Sequence, residues 1–261
     1  MKRISQLKDE ALATLDGNFG KAALATLGFM AIAIAISVFL NLGRSQADSM
    51  SVFNALTTGN YSDLMDVSGA SPYATLTQWL INFFFLFPLS VGMVTTYRKL
   101  FESKGAENTI FSNFFKYGFG KEYLHIVFVM FIYELLILLI FIPIIAIPVL
   151  IMAIAHTTFV TVIGILVILF CIVLVSLMYS QVSLIVLDNP ELGPTDVMSR
   201  SRHLMNGNKW RFFVLGLSFL GWIVLGIVTL GIGYLWLAPY MSTTQAAFYC
   251  EIRDAEKQQP E

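Results

Sequence analysis

Charged side chains are scarce in this sequence: Asp, Glu, Lys and Arg make up only 13% of its 261 residues. Soluble domains contain about 25% charged and about 45–50% apolar residues, whereas this chain is 57% hydrophobic. The scarcity of charge excludes an ordinary water-soluble domain, because so much apolar surface needs lipid as its solvent. A net charge of −1 also argues against nucleic acid as a partner.

Residues that commonly carry chemistry are few as well. The two cysteines, Cys171 and Cys250, are predicted to lie mid-span and near the cytoplasmic edge, so we expect two free thiols. The histidines are predicted to lie on opposite sides of a membrane, and the sequence contains no HExxH, P-loop or GxSxG pattern. We therefore expect no metal, no cofactor and no enzymatic activity.

Long apolar runs are abundant, and a spanning helix needs about 20 such residues. The sequence predicts six spans, at residues 21–42, 77–97, 123–153, 159–187, 210–229 and 234–250. The apolar run 123–187 suits two spans, so we predict a turn at the only polar cluster near its middle, 156–158. The last span contains Pro239 and several hydroxyl groups, and a re-entrant or interfacial segment is its alternative. The pattern predicts an all-α, polytopic helical membrane protein with one integral membrane domain, 1–261.

The basic residues indicate how this domain is oriented. Of the 16 Lys and Arg residues, all but Arg44 fall on one side of the predicted topology. Arg44 lies in the predicted loop 43–76, on the opposite side. Cytoplasmic loops carry an excess of Lys and Arg. We therefore predict a multi-pass protein of the bacterial inner (cytoplasmic) membrane with both termini in the cytoplasm.

Three segments on the predicted cytoplasmic side have apolar residues at helical spacing, at 4–15, 109–117 and 195–206. The first and third end in a Gly-Asn pair, at Gly17 and Gly207, followed by aromatic and basic residues. We predict three repeats, each an in-plane amphipathic helix followed by a helical hairpin. The alternative is three ordinary juxtamembrane linkers.

Glu134 is the one ionisable residue that the sequence places deep in a span. A charge there costs about 2.5–3.5 kcal/mol on insertion scales. One interpretation is a proton or cation site. The other, which we favour, is an uncharged carboxyl group that forms a hydrogen bond with Tyr133, Tyr179 or Gln181 on the same or a neighbouring helix.

A basic cluster accompanies the third amphipathic segment. It consists of Arg200, Arg202, Lys209, Trp210 and Arg211. Such clusters bind anionic lipid head groups at the cytoplasmic surface. The alternative is that these residues only determine topology, which the positive-inside rule already requires.

The C-terminal third carries a family resemblance. The motifs SRHLMNGNKWRFFVLGLSFLGW, TLGIGYLWLAPY and AAFY, together with Asp188-Asn189-Pro190 and LDGNFGKA near the start, provide it. They resemble the domain of unknown function 975 family of bacterial integral membrane proteins, most strongly over residues 186–250. The resemblance implies a multi-spanning membrane protein without an assigned activity, and it brings no catalytic residues.

Three functional interpretations follow. The favoured one is a non-enzymatic accessory or scaffold module that acts on membrane lipids, or on a membrane-protein partner, through its amphipathic helices. The alternative is a small transporter or permease that uses Glu134. An intramembrane enzyme is the least favoured, since no nucleophile–base pair or metal site can be assembled.

Overall fold

The computed structural model describes residues 1–58, 72–106, 110–155 and 157–258, with side chains outside 39–58 and 72–75. All regular structure in these ranges is helical. The helices are α1 (Ile4–Leu15), α2 (Phe19–Thr58), α3 (Pro72–Ile81), α4 (Phe87–Glu102), α5 (Ile110–Gly118), α6 (Tyr123–Ala155), α7 (Thr158–Met178), α8 (Val182–Asp188), α9 (Pro194–Leu204), α10 (Lys209–Leu217), α11 (Leu220–Val228) and α12 (Tyr234–Lys257).

Among the described residues, five helical segments are long and apolar enough to cross a membrane. They are Phe19–Val38, Leu76–Glu102, Tyr123–Ala155, Thr158–Asp188 and Lys209–Val228. These segments confirm the predicted all-α, polytopic helical fold. The sixth predicted span, 234–250, falls within α12 and is not among the five, so the number of six spans stays a prediction.

Helix α12 is too polar to be among the five candidate spans. A polar helix is tolerated at this position because protein, rather than lipid, surrounds much of it. It packs against α1, α2 and α4. Thr243 and Thr244 are fully buried, next to buried Ala246 and Ala247. The Thr244 hydroxyl donates to the carbonyl oxygen of Tyr240 at 2.7 Å, which satisfies it without a partner helix. The small residues Ala246 and Ala247 and the satisfied Thr244 hydroxyl thus help a weakly apolar helix to occupy the core, while the Thr243 hydroxyl has no hydrogen-bond partner in the described chain.

Several predicted boundaries differ from the observed ones. The fourth span, 159–187, is interrupted between α7 and α8, and the fifth, 210–229, between α10 and α11. The predicted loop 43–76 is helical where α2 extends to Thr58 and where α3 begins at Pro72. Residues 59–71 and the side chain of Arg44 lie outside the description, as does residue 156. The turn itself is where we predicted it, because α6 ends at Ala155 and α7 begins at Thr158.

Pro88 explains a local feature of the second span. A π-helical turn, Asn82–Leu86, joins α3 to α4 just before this proline. Proline has no N–H to donate, and its ring crowds the carbonyl of the fourth residue before it. That carbonyl belongs to Phe84, and the Tyr123 hydroxyl donates to it at 3.1 Å. The turn widens the helix and a neighbouring helix supplies the lost hydrogen bond.

The three amphipathic segments are helical, as α1, α5 and α9, although residue 109 lies outside the description. In α1 and α9 the apolar face is covered by protein and not by lipid, since Leu7 and Leu15, like Val197 and Leu204, are buried in the core. Packing on the core removes this surface from water as effectively as lipid would. The expected docking of these two apolar faces on the membrane is therefore not observed.

The two outer segments share one local geometry. Gly17 and Gly207 have φ values of +74° and +75°, a left-handed conformation that favours glycine. Each is followed by a buried asparagine, Asn18 or Asn208, and then by a candidate span, Phe19–Val38 or Lys209–Val228. The arrangement agrees with a repeated unit at both ends of the chain, while the threefold repeat stays a prediction.

Candidate functional site

The Lys and Arg residues of the predicted basic cluster fall into two groups: those that have a carboxylate partner in the described chain and those that have none. Arg200 Nη2 lies 2.7 Å from Oε2 of Glu256. Arg211 Nη2 lies 3.0 Å from Oε2 of Glu251 and donates to the backbone oxygen of Lys2 at 2.7 Å. Both carboxylates belong to α12. Arg200 and Arg211 therefore attach α9 and α10 to the central helix.

The other members of the cluster face outward. Arg202 and Lys209 form no ion pair or hydrogen bond within the part of the chain that the structure describes. Trp210 is 71% exposed, and its ring lies 5.5 Å from the ring of Phe213, measured between the centroids. Two cations and an indole are thus available to a ligand outside the protein.

Arg202 also lines a groove of about 230 Å³ between α6 and α9. The wall from α6 is apolar and the wall from α9 is mainly polar. The lining residues are Leu136, Leu139, Ile140, Tyr179, Thr195, Met198, Ser199 and Arg202. An apolar wall opposite an unpaired guanidinium group is suited to an amphiphilic anion.

The groove lies at one end of the apolar hairpin formed by α6 and α7. Helix α7 has 21 residues and is therefore about 31 Å long. Its C-cap, Tyr179, contacts Tyr133 of α6 with 6.3 Å between the ring centroids. Because the two rings lie at the same level, the stretch of α6 beside α7 begins near residue 134.

Glu134, which follows Tyr133, lies near the level of the end of α7 and within the candidate span Tyr123–Ala155. Its side chain is exposed, and it forms no hydrogen bond in the described part of the chain. The expected bond to Tyr133, Tyr179 or Gln181 is not formed. Gln181 is fully buried, and its side-chain amide donates to the Ser180 hydroxyl at 2.9 Å.

A partly buried ion network between α4, α8 and α12 was missed by sequence reasoning. Asp188 forms ion pairs with Arg98 and with Arg253, whose Nη1 lies 3.2 Å from Oδ2 of Asp188. The Tyr249 hydroxyl donates to the same oxygen at 2.7 Å. Arg253 also reaches Glu102 at 3.0 Å. Three helices that are distant in sequence are joined by one carboxylate.

Comparison with known proteins assigns the chain to a family. The family described as Protein of unknown function (DUF975) matches residues 1–256. The chain belongs to the DUF975 family. No curated protein and no solved structure matches it. The family description names no activity, so the function of this DUF975 protein has to be argued from its own residues.

The match covers far more of the DUF975 chain than the region 186–250 that carries the resemblance most strongly. It therefore includes both Arg98 and Asp188. Of the network, only Asp188 was singled out from the sequence, as part of Asp188-Asn189-Pro190, while Arg98 and Arg253 were counted as topology signals. The available clue was that Arg98 directly follows the second predicted span, 77–97.

Burial affects the pKa of two basic side chains of this DUF975 protein that lie outside the spans, Arg253 and Lys8. Burial alone would lower the pKa of Arg253, but hydrogen bonds from its side chain to Glu102 and Asp254 raise it, so the guanidinium stays cationic. Burial lowers the pKa of Lys8, an effect that the charge of Asp9 partly offsets. Lys8 Nζ donates to the backbone oxygen of Ser218 at 3.2 Å, at the interruption between α10 and α11.

A second, more polar cavity of about 660 Å³ adjoins the ion network of this DUF975 protein, between α1, α4 and α12. Its charged lining residues are Lys2, Glu10, Glu102, Lys104, Arg253 and Asp254. Lys2 pairs with Glu10 at 2.7 Å, and Arg253 pairs with both Glu102 and Asp254. With both signs present and mostly paired, the cavity has no preference for a ligand of one charge.

Across 1–58, 72–106, 110–155 and 157–258, no group of three or more His, Cys, Asp or Glu side chains could hold a metal ion. Cys171 is half-buried, Cys250 is buried, and both are free thiols. The groove beside Arg202 is thus the candidate functional site of this DUF975 protein.

Proposed function

We propose that this protein is a non-enzymatic accessory module of the bacterial inner membrane that binds anionic lipid head groups at the cytoplasmic surface. One observation carries the proposal. Within a single basic cluster, Arg200 and Arg211 have carboxylate partners, whereas Arg202 and Lys209 have none in the described chain. Unpaired cations beside an apolar surface attract lipid phosphate through charge-assisted hydrogen bonds.

The dimensions of the hairpin support a location at head-group level. Helix α7 is about 31 Å long, close to the thickness of about 30 Å of a bilayer's hydrocarbon core. Its end at Tyr179 then lies where aromatic side chains are enriched, at the membrane–water interface. Tyr179 lines the same groove as Arg202, which supports a position of the guanidinium group at the level of the phosphates.

The orientation is argued from the sequence. The excess of Lys and Arg on one side of the predicted spans supports termini in the cytoplasm and α9 on the cytoplasmic side. The anionic leaflet potential there attracts basic residues near the surface, by about 1 kcal/mol for each. Binding of a membrane-protein partner to the same surface is compatible with this function.

The transporter alternative depends on Glu134. A transport site is expected near the middle of the bilayer, at broken helices with convergent polar groups. Glu134 instead lies level with the end of α7, exposed and without a hydrogen-bond partner in the described chain. No observation on the described residues favours transport over lipid binding.

The test compares lipid-dependent stability. The full chain is reconstituted in nanodiscs of phosphatidylcholine with or without phosphatidylglycerol, and Tm is measured. Anionic lipid is expected to raise the Tm of the wild type, and the pair Arg202→Gln, Lys209→Gln is expected to abolish most of that increase. The matched control, Lys116→Gln with Lys121→Gln, removes the same charge elsewhere on the predicted cytoplasmic side. Equal losses in both pairs, or no effect of phosphatidylglycerol, would contradict the proposal.

A further inference from the structure

We infer that the groove between α6 and α9 is a discrete site for one anionic phospholipid. Its phosphate is bound by Arg202, and one acyl chain lies against the apolar wall of α6. This inference rests on the proposed function and goes beyond it. The basic surface could attract many lipids diffusely, whereas the groove would hold a single lipid molecule at a defined position.

The polar wall of the groove is arranged along one face of α9. Thr195, Ser199 and Arg202 are spaced four and three residues apart, so they follow one another on the same side of the helix. All three are exposed. Two hydroxyl groups and a guanidinium can donate to several oxygens of one phosphodiester. No carboxylate lines the groove to compete with it.

The opposite wall is suited to a hydrocarbon chain. Leu139 and Ile140 follow Leu136 by three and four residues on α6, so all three lie on one side of the helix, and Met198 closes the groove from α9. Leu139 is 64% exposed, and the exposed apolar surface continues along α6 through Ile142. An acyl chain entering at Arg202 can therefore follow α6 toward the far end of the hairpin while it stays in contact with apolar side chains.

A polar wall opposite an apolar wall favours a lipid over other occupants of the groove. A free phosphate would meet the guanidinium and hydroxyl groups but would leave the leucine wall uncovered. An apolar helix of another chain would cover the leucines but leave the Arg202 charge without a partner, which is costly next to lipid. An anionic phospholipid satisfies both walls, and it is present at the level where the groove opens.

The experiment counts bound lipid on the intact chain. Protein extracted from membranes that contain phosphatidylglycerol is analysed by native mass spectrometry. We expect the wild type to retain one phosphatidylglycerol. Arg202→Gln should lower the retained fraction about tenfold, because it removes a charged hydrogen-bonding group. Lys121→Gln, the control, removes the same charge at an exposed position and should leave retention unchanged, because Lys121 neither lines the groove nor belongs to the basic cluster.

Two groove-filling variants separate a defined site from diffuse attraction. Ser199→Trp narrows the polar wall and Leu139→Trp the apolar wall, and both positions are exposed, so the fold should tolerate either change. Each leaves Arg202 in place, and each should reduce retention as strongly as Arg202→Gln. Loss of lipid in either correctly folded variant supports the site.

Retention in both groove-filling variants, or equal loss in Lys121→Gln, would overturn the site while leaving the proposed function intact, since nanodisc stability tests that function separately. A wild type that retains no phospholipid, or that retains inorganic phosphate in its place, would also overturn it.

Discussion

The Tyr249 hydroxyl donates a 2.7 Å hydrogen bond to Oδ2 of Asp188, and so connects the central helix α12 to the end of α8. The same carboxylate pairs with Arg98, which is only 4% exposed. A buried guanidinium depends on its counter-ion, because breaking a buried ion pair leaves a charge without compensation. Asp188 is therefore central to the packing of α4, α8 and α12.

Asp188→Asn should destabilise the protein by about 3–5 kcal/mol, the usual cost of removing one partner from a buried pair. Tyr249→Phe removes a single hydrogen bond to the same atom and should cost about 1.5–3 kcal/mol. Unfolding in a denaturing detergent measures both. If Asp188→Asn were as stable as the wild type, Arg98 would not depend on this carboxylate.

Gly92 is where α4 and α5 approach most closely. A Cβ at this position would overlap the carbonyl oxygen of Phe114 and lie 2.7 Å from the backbone nitrogen of Gly118. Because both obstacles are backbone atoms, Gly92→Ala should separate the two helices and cost about 1–3 kcal/mol. The control is Gly216→Ala in α10, where a Cβ meets nothing within 4 Å and helix propensity favours alanine. Similar unfolding curves for the two variants would contradict the close contact.

Lys8 stabilises the interruption between α10 and α11. Its ammonium donates to the backbone oxygen and the hydroxyl of Ser218, and lies 4.4 Å from the ring centroid of Phe219. Lys8→Met keeps the length and apolar contacts of the side chain but removes the donor, so it should lower stability by about 1 kcal/mol. Lys121→Met, at an exposed position, is the matched control. Equal melting temperatures for both variants would show that the contact contributes nothing.

Glu134→Gln and Glu134→Leu should both leave stability within about 0.5 kcal/mol of the wild type, as for other exposed positions. The sequence alone predicted a hydrogen bond between the Glu134 carboxyl and a nearby side chain, which leucine would remove, but Glu134 has no such partner in the described chain. Growth under conditions that require the protein provides the second measurement. A folded Glu134→Gln variant that loses a proton-dependent phenotype would restore the transporter interpretation.

Membrane orientation can be tested with single cysteines in a Cys171→Ser, Cys250→Ser background. With both termini in the cytoplasm, a cysteine at Ser199 should be protected from an impermeant thiol reagent on intact cells, and one at Ser62 should be labelled. Lysis should expose the cysteine at Ser199. Labelling at 199 but not at 62 in intact cells would reverse the predicted topology.

Much of the fold could be read from the sequence, because its signals are local. Apolar runs longer than about 20 residues predict helices that can cross a membrane, and the polar cluster at 156–158 marks the turn between α6 and α7. Apolar spacing and Gly17 predicted α1 at its observed bounds, Ile4–Leu15. The left-handed conformation at Gly17 and Gly207 is likewise encoded in residues that adopt it without strain.

Only the tertiary structure decided which polar groups find partners. Arg200 and Arg202 are identical residues only two positions apart, so the local sequence does not distinguish them. Yet Arg200 pairs with Glu256, whereas Arg202 lines the groove. Asp188 meets Arg98 and Arg253 because α4, α8 and α12 pack together. Such pairings join residues 65 or 90 positions apart, and no local pattern of hydropathy or charge specifies a contact over that separation. The burial of α12 was not predictable for the same reason, because the helices that cover it are distant from it in the sequence.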